Sequence, residues 1–202
     1  MKAMVIWLCG PSGSGKTTIG QALDRALRPR VPHLFLLDGD EFRAAMGHDL
    51  GFTPEDRRKN GHRIARFCQL LESQGIVVIC CGATIHPEVQ AFNRLALRSY
   101  CEIVIEASLD TLLKRDVKGI YQKALSGEVS NVVGIDLRWL PPSHPHLVLN
   151  NDAEATSFDH FVHAIRTALT ASDRTLQRLE DFRRPPVTAM KLEGEDVEGR
   201  RR

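Results

Sequence analysis

The sequence predicts an α/β fold, a parallel sheet with helices on both faces. Three observations carry that expectation. Short continuous apolar runs alternate with segments of helical period, each run has the length of a strand buried on both faces, and the first run stops at a glycine-rich loop that opens a helix. At 202 residues and 43% hydrophobic content the chain can build one core. A single domain over residues 1–180 is therefore expected, followed by a charged tail over 181–202.

The elements follow in order. "AMVIWLC" (Ala3 to Cys9) is the first buried strand, and Ile19, Ala22, Leu23, Ala26 and Leu27 recur at helical spacing until Pro29. "HLFLLD" supplies a second strand and completes a βαβ unit. "TPEDRRKN" opens a helix with Thr53 at the N-cap, Pro54 at the first helical position and Asp56 at N3. Ile64, Phe67, Cys68 and Leu71 form its inner stripe, Gly75 ends it, and "IVVICC", the most hydrophobic run, is the expected central strand. "PEVQAFNRLAL" reads as a helix, "CEIVIEA" as a strand, "DTLLKRD" as a short helix and "HLVLNN" as a last brief strand. A helix from about Ser157 to Leu179 closes the pattern. From Asp181 onward the charge, Pro185, Pro186 and the lack of an apolar period predict a disordered tail.

Composition narrows the function. A formal charge of +2 gives no nucleic-acid footprint. No apolar stretch reaches the ~18 residues of a membrane span, and the N-terminus has no leader-like pattern, so neither nucleic acid nor membrane is expected as a partner. The five cysteines, at 9, 68, 80, 81 and 101, form no C-x-x-C pair and lack zinc spacing; they read as buried thiols of a cytoplasmic protein.

"GPSGSGKT" matches G-x-x-x-x-G-K-[ST] and sits after a buried strand, opening a helix, which marks a P-loop NTPase of the nucleotide-kinase type. Gly10, Pro11, Ser12, Gly13, Ser14 and Gly15 would wrap phosphate with backbone N–H groups, Lys16 would span the outer phosphates, Thr17 would ligate magnesium, and Thr18 would complete the nucleotide contact. ATP and Mg2+ are the expected cofactors. The second strand ends in "LDGDEFR" on the same crevice. There Asp38 is expected to hold magnesium or its waters and Asp40 to accept a proton from an attacking hydroxyl; alternatively, Asp40 caps a helix starting at Glu41.

Phosphoryl transfer depends on positioning and charge neutralisation, so an arginine-rich acceptor surface is sought next. Arg57 and Asn60 share a helical face in "GFTPEDRRKNGHR", with Phe52 before them as a stacking plate. "KRDVKGIYQKALSGEV" reads as a mobile cover bringing Arg115 and Lys118 over the phosphates.

Taken together, "GPSGSGKT", "LDGDEFR", "LGFTPEDRRKN", "RDVKGIYQKALSGE" and "VVGIDLRWLPPSHPHLVL" resemble the adenylyl-sulfate kinases from Lys2 to about Asn151. The resemblance implies transfer of the γ-phosphate of ATP to the 3′-hydroxyl of adenosine 5′-phosphosulfate. It also implies that Asp40 activates the acceptor, that Arg43, Arg57 and Asn60 grip the sulfonucleotide, and that Phe52 stacks on its base. Lys118, Gly119 and Tyr121 fall in the covering segment, and Gly134, Ile135 and Asp136 in a loop lining the acceptor pocket. Homodimers are common in the resembled family.

The chain departs from the family at three places. "ATIHP" puts His86, after Ile85, where typical members carry a serine that is often phosphorylated; a hydrogen-bonding or merely tolerated histidine is expected. Glu88 and Val89 replace the basic residue that follows the proline. "NVVGID" puts Val132 where typical members carry the phenylalanine that completes an aromatic clamp on adenine. Two alternatives follow: a 3′-hydroxyl kinase of another activated nucleotide, such as a cytidine diphosphoramidate, and a regulator that binds nucleotide without an acceptor.

Overall fold

The computed structural model describes residues 2–83, 85–116, 118–153 and 157–183, with side chains through residue 171. Five strands, β1 (Val5–Cys9), β2 (Leu34–Asp38), β3 (Val77–Cys81), β4 (Tyr100–Glu106) and β5 (Leu147–Asn150), pair in parallel in the order β2-β3-β1-β4-β5. β1 and β3 are buried at every position. Both lie inside the sheet, where continuous apolar runs are required because both faces are covered. The edge strands β2 and β5 expose Phe35 and Val148.

Alternation along the strands sorts the core into two layers. Ile6, Leu8, Ile103 and Ile105 pack with Ile19 and Leu23 of α1 (Lys16–Leu27) and Ile165 of α7 (Asp159–Arg183). Val5, Trp7, Val78 and Cys80 face the other way, toward Ile64 and Cys68 of α3 (Pro54–Ser73). Thr53 caps α3 as expected, its hydroxyl accepting from the Asp56 N–H at 3.2 Å. α4 (Pro87–Ala96) packs close to α3 because Gly61 lacks a side chain: a Cβ there would lie 3.1 Å from both methyls of Val89.

A third, smaller cluster stands apart from the sheet. Leu112 of α5 (Leu109–Arg115), Tyr121 of α6 (Ile120–Leu125) and Val132 bury one another at the carboxyl end of the strands. α6 lies within the segment expected to be a polar cover. Its helix forms because the Asp116 carboxylate accepts the N–H groups of Tyr121 and Gln122, at 3.1 and 3.0 Å. α2 (Gly39–Ala45) corrects the second alternative for Asp40: the helix starts at Gly39, and its cap is Asp38, whose Oδ1 accepts the Asp40 N–H at 2.8 Å.

All five cysteines are free and buried. Burial pushes the Cys81 and Cys101 thiols up to about 12, which leaves them protonated and unreactive at neutral pH. α7 extends through Arg183, and residues 184–202 of the expected tail lie outside the described residues. Among the described residues, no helix is long and apolar enough to cross a membrane.

Candidate active site

β1 ends at Cys9 and α1 begins at Lys16, so the loop between them delivers the first helical turn to the carboxyl edge of the sheet. Gly15, at φ 98°, makes the final bend. A Cβ there would lie 2.4 Å from Asn151 Nδ2, and that amide donates to the Ser14 carbonyl at 2.8 Å. Glycine therefore serves both the left-handed turn and the close approach. Lys16 folds back over the loop, its Nζ donating to the Pro11 carbonyl at 2.6 Å.

Burial lowers Lys16 to about 8 from its usual 10.5, against the raising pull of the Asp40 carboxylate. A triphosphate binds the ammonium form and must restore the proton wherever the free protein has lost it. At pH 9 roughly one free molecule in eleven carries that proton, so affinity for the ATP analogue AMPPNP is expected to be about tenfold weaker than at pH 7. Calorimetric titrations at the two pH values check this, with proton uptake on binding at pH 9.

A cleft of about 990 Å³ opens from the phosphate loop. Ser12, Gly13, Gly15, Lys16, Thr17 and Thr18 line its floor, while Gly10, Pro11 and the fully buried Ser14 lie behind it. β2 brings Asp38 to the rim. Its Oδ2 accepts from the Thr17 hydroxyl at 2.6 Å, so the two expected metal ligands converge. Asp40, one residue into α2, turns its carboxylate into the cleft and pairs with Lys118 of the covering segment.

The opposite wall is built from α2, α3 and the loop after α6. The Phe52 ring is exposed, with the Arg43 guanidinium carbon 4.8 Å and that of Arg57 5.3 Å from its centroid. Arg43 is anchored by the carbonyls of Leu50 and Gly51 at 3.2 and 2.9 Å. Arg57 donates to the Phe52 carbonyl at 2.9 Å and to the Asn131 carbonyl at 2.8 Å, bridging the two sides of the wall. Val132 lines the cleft beside it. The carboxylate of Asp136 holds the N–H groups of Asn131 and Val132, each at 2.5 Å, and so closes the "GID" loop on itself.

Of the remaining expected residues, all but Arg115 sit outside the lining. Asn60 is buried in α3, and Ile85 is buried before α4. His86 is the N-cap residue of α4, its Nε2 enclosed without a hydrogen-bond partner. Gly134 and Ile135 stand behind Val132. Glu88 meets Arg58 at 3.5 Å. Arg115 lines the cleft and donates to the Ala153 carbonyl at 3.2 Å.

Sequence reasoning missed Asn151 and Phe158, which line the cleft, and the hydrogen bond from the Tyr121 hydroxyl to the Ser12 carbonyl at 2.8 Å. Asn151 ends the "HLVLNN" run, and a polar residue at the carboxyl end of a parallel strand is a usable signal. Phe158 carries none, since nothing local separates it from a core aromatic.

Residues 2–150 match the family profile described as adenylylsulphate kinase. The cytidine diphosphoramidate kinase of Campylobacter jejuni is 42% identical over 147 residues, covering 73% of this chain and 85% of that protein. The adenylyl-sulfate kinase of Marinobacter nauticus is 38% identical over 170 residues, covering 81% of this chain and 82% of that one. Among solved structures, the APS kinase of Mycobacterium tuberculosis in complex with AMPPNP and APS superposes with a TM-score of 0.77 at 29% identity, over 84% of this chain and 98% of that one. A phosphate loop facing an arginine-framed aromatic across one cleft, together with a match that spans nearly the whole described domain, leads to one assignment: the chain belongs to the adenylylsulphate kinase family.

Proposed function

We propose that the protein transfers the γ-phosphate of ATP to the 3′-hydroxyl of adenosine 5′-phosphosulfate. The observation that carries this reading is the shared cleft, in which Asp40 stands between the phosphate loop and the wall of Arg43, Phe52 and Arg57. The loop N–H groups and Lys16 hold the ATP phosphates, and the wall seats the acceptor nucleotide. Thr17 and Asp38 would hold Mg2+. Their hard oxygen atoms, 2.6 Å apart at the rim, suit an ion that keeps several waters and takes its other ligands from phosphate. The ion supplies charge neutralisation on the phosphates when bound.

Lys118 leaves Asp40 as the acceptor enters and turns toward the phosphates. Asp40 then accepts the 3′-hydroxyl proton while the ribose oxygen bonds to the γ-phosphorus, the bridging bond to the β-phosphate breaks, and ADP departs. Direct transfer needs no covalent relay, which accords with His86 standing off the cleft. The five free buried thiols favour a reducing cytoplasm as the place of work.

One observation favours a second acceptor, cytidine diphosphoramidate. Val132 offers the base an aliphatic wall in place of a second aromatic face, and the Campylobacter relative carries that name. The test is ATP-dependent turnover with adenosine 5′-phosphosulfate and cytidine diphosphoramidate under identical conditions. Faster turnover of the first sustains the proposal, faster turnover of the second installs the alternative, and AMPPNP binding with neither acceptor turned over returns the chain to a nucleotide-binding regulator.

A further inference from the structure

The phosphate loop works only if its N–H groups face the ligand, which obliges its carbonyls to turn away and find donors behind. Lys16 takes the Pro11 carbonyl from within the motif itself, and two side chains from distant elements take two more. Asn151 takes the Ser14 carbonyl from the side of β5, and Tyr121 takes the Ser12 carbonyl from the side of α6. The two tethers differ in what lies beyond them. Asn151 is fixed to the sheet, its own N–H donating to the Glu106 carbonyl at 2.8 Å.

Tyr121 belongs instead to the third cluster, with Leu112 and Val132, and is 1% exposed. Its ring has the loop on one edge and the acceptor wall on the other. A Cβ added at Gly13 would lie 4.0 Å from Cε2, and one added at Gly134 would lie 4.0 Å from Cε1. One side chain thus bonds the donor loop through its hydroxyl, packs with Val132 of the acceptor wall, and sits on the helix of the cover. Burial and the nearby Asp116 carboxylate push its phenol up to about 12, so it remains a donor throughout the working range.

We propose that Tyr121 is a positioning residue that couples the two substrate sites: its hydroxyl holds the Ser12 carbonyl away from the phosphates, and its ring passes the state of the phosphate loop to the acceptor wall at Val132–Gly134. Filling of the loop by the donor then fixes the wall before the acceptor arrives. This rests on the reading of the loop as the donor site, and it requires nothing about the identity of the acceptor.

The experiment uses AMPPNP alone, with hydrogen exchange of the backbone amides over 129–136 as the readout. In the unaltered protein, AMPPNP is expected to slow exchange across this wall. Tyr121→Phe retains the ring and its packing and removes one hydrogen bond, so AMPPNP should bind about three- to tenfold more weakly. At saturating AMPPNP the wall should lose most of its protection. Asn151→Ala is the control for simple loosening of the loop: AMPPNP should again bind more weakly, yet at saturation the wall should be protected as in the unaltered protein.

Equal protection in Tyr121→Phe and the unaltered protein would overturn the coupling, as would equal loss in both variants. An unaltered protein that fails to bind AMPPNP would overturn the donor-site reading and this inference with it. Failure to phosphorylate any acceptor, with AMPPNP bound and the wall protected, would overturn only the acceptor assignment.

Discussion

Asp40→Asn is expected to lower kcat by about a hundred- to ten-thousandfold, the range in which a positioned general base contributes. The substitution keeps the size of the side chain and an oxygen that can accept from Lys118, while it removes the capacity to take a proton. It leaves the local fold alone, because the α2 cap belongs to Asp38 and only the backbone N–H of Asp40 takes part in it. AMPPNP affinity should stay within about threefold of the unaltered value, since Asp40 is placed beside the donor phosphates and not on them. Single-turnover measurement with saturating ATP and acceptor isolates the chemical step. A rate within tenfold of normal would remove Asp40 from the reaction and leave it as the counter-ion that parks Lys118.

The pairing of Asp40 with Lys118 also bears on what could be read in advance. The strands were legible because burial on both faces forces continuous apolar runs, and β1 and β3 are such runs, while β4 keeps the pattern apart from the buried Glu102 and the exposed Glu106 at its end. The phosphate loop was legible because its glycines and lysine lie contiguously in sequence. The acceptor wall was legible only in part. Arg43, Phe52 and Arg57 sit close in sequence, on α2, the loop that follows it and α3, but the guanidinium of Arg57 reaches Asn131, 74 residues away, and no local pattern announces that pairing. The same holds for Asn151 on Ser14 and Tyr121 on Ser12, contacts made across 137 and 109 residues. Short helices were legible unevenly: "DTLLKRD" announced α5, whereas the start of α2 and the whole of α6 were not foreseen. α2 and α6 depend on the carboxylates of Asp38 and Asp116 meeting particular N–H groups, a geometry that composition does not encode.

Long-range placement is what makes Val132→Phe the more discriminating substitution. Arg57 joins the Phe52 carbonyl to the carbonyl of Asn131, the residue before Val132, so the two sides of the acceptor wall stand one guanidinium apart. An aromatic ring at position 132 would face the seat that Phe52 already borders. Stacking on an aromatic contributes about 1–3 kcal/mol per base, or roughly ten- to a hundredfold in affinity, and a purine offers it more area than a pyrimidine. Against this stands the packing of Val132, which is 6% exposed and buried against Leu112 and Tyr121; a larger side chain turned inward would cost about 1–3 kcal/mol by overpacking. The cleft relieves that conflict, because Val132 also lines open space. The ratio of kcat/KM for adenosine 5′-phosphosulfate to that for cytidine diphosphoramidate is therefore expected to rise at least about tenfold in Val132→Phe. The gain should fall mainly in KM, with a melting temperature lowered by only a few degrees. An unchanged ratio in a folded variant would move base selection away from this wall and onto the framing arginines.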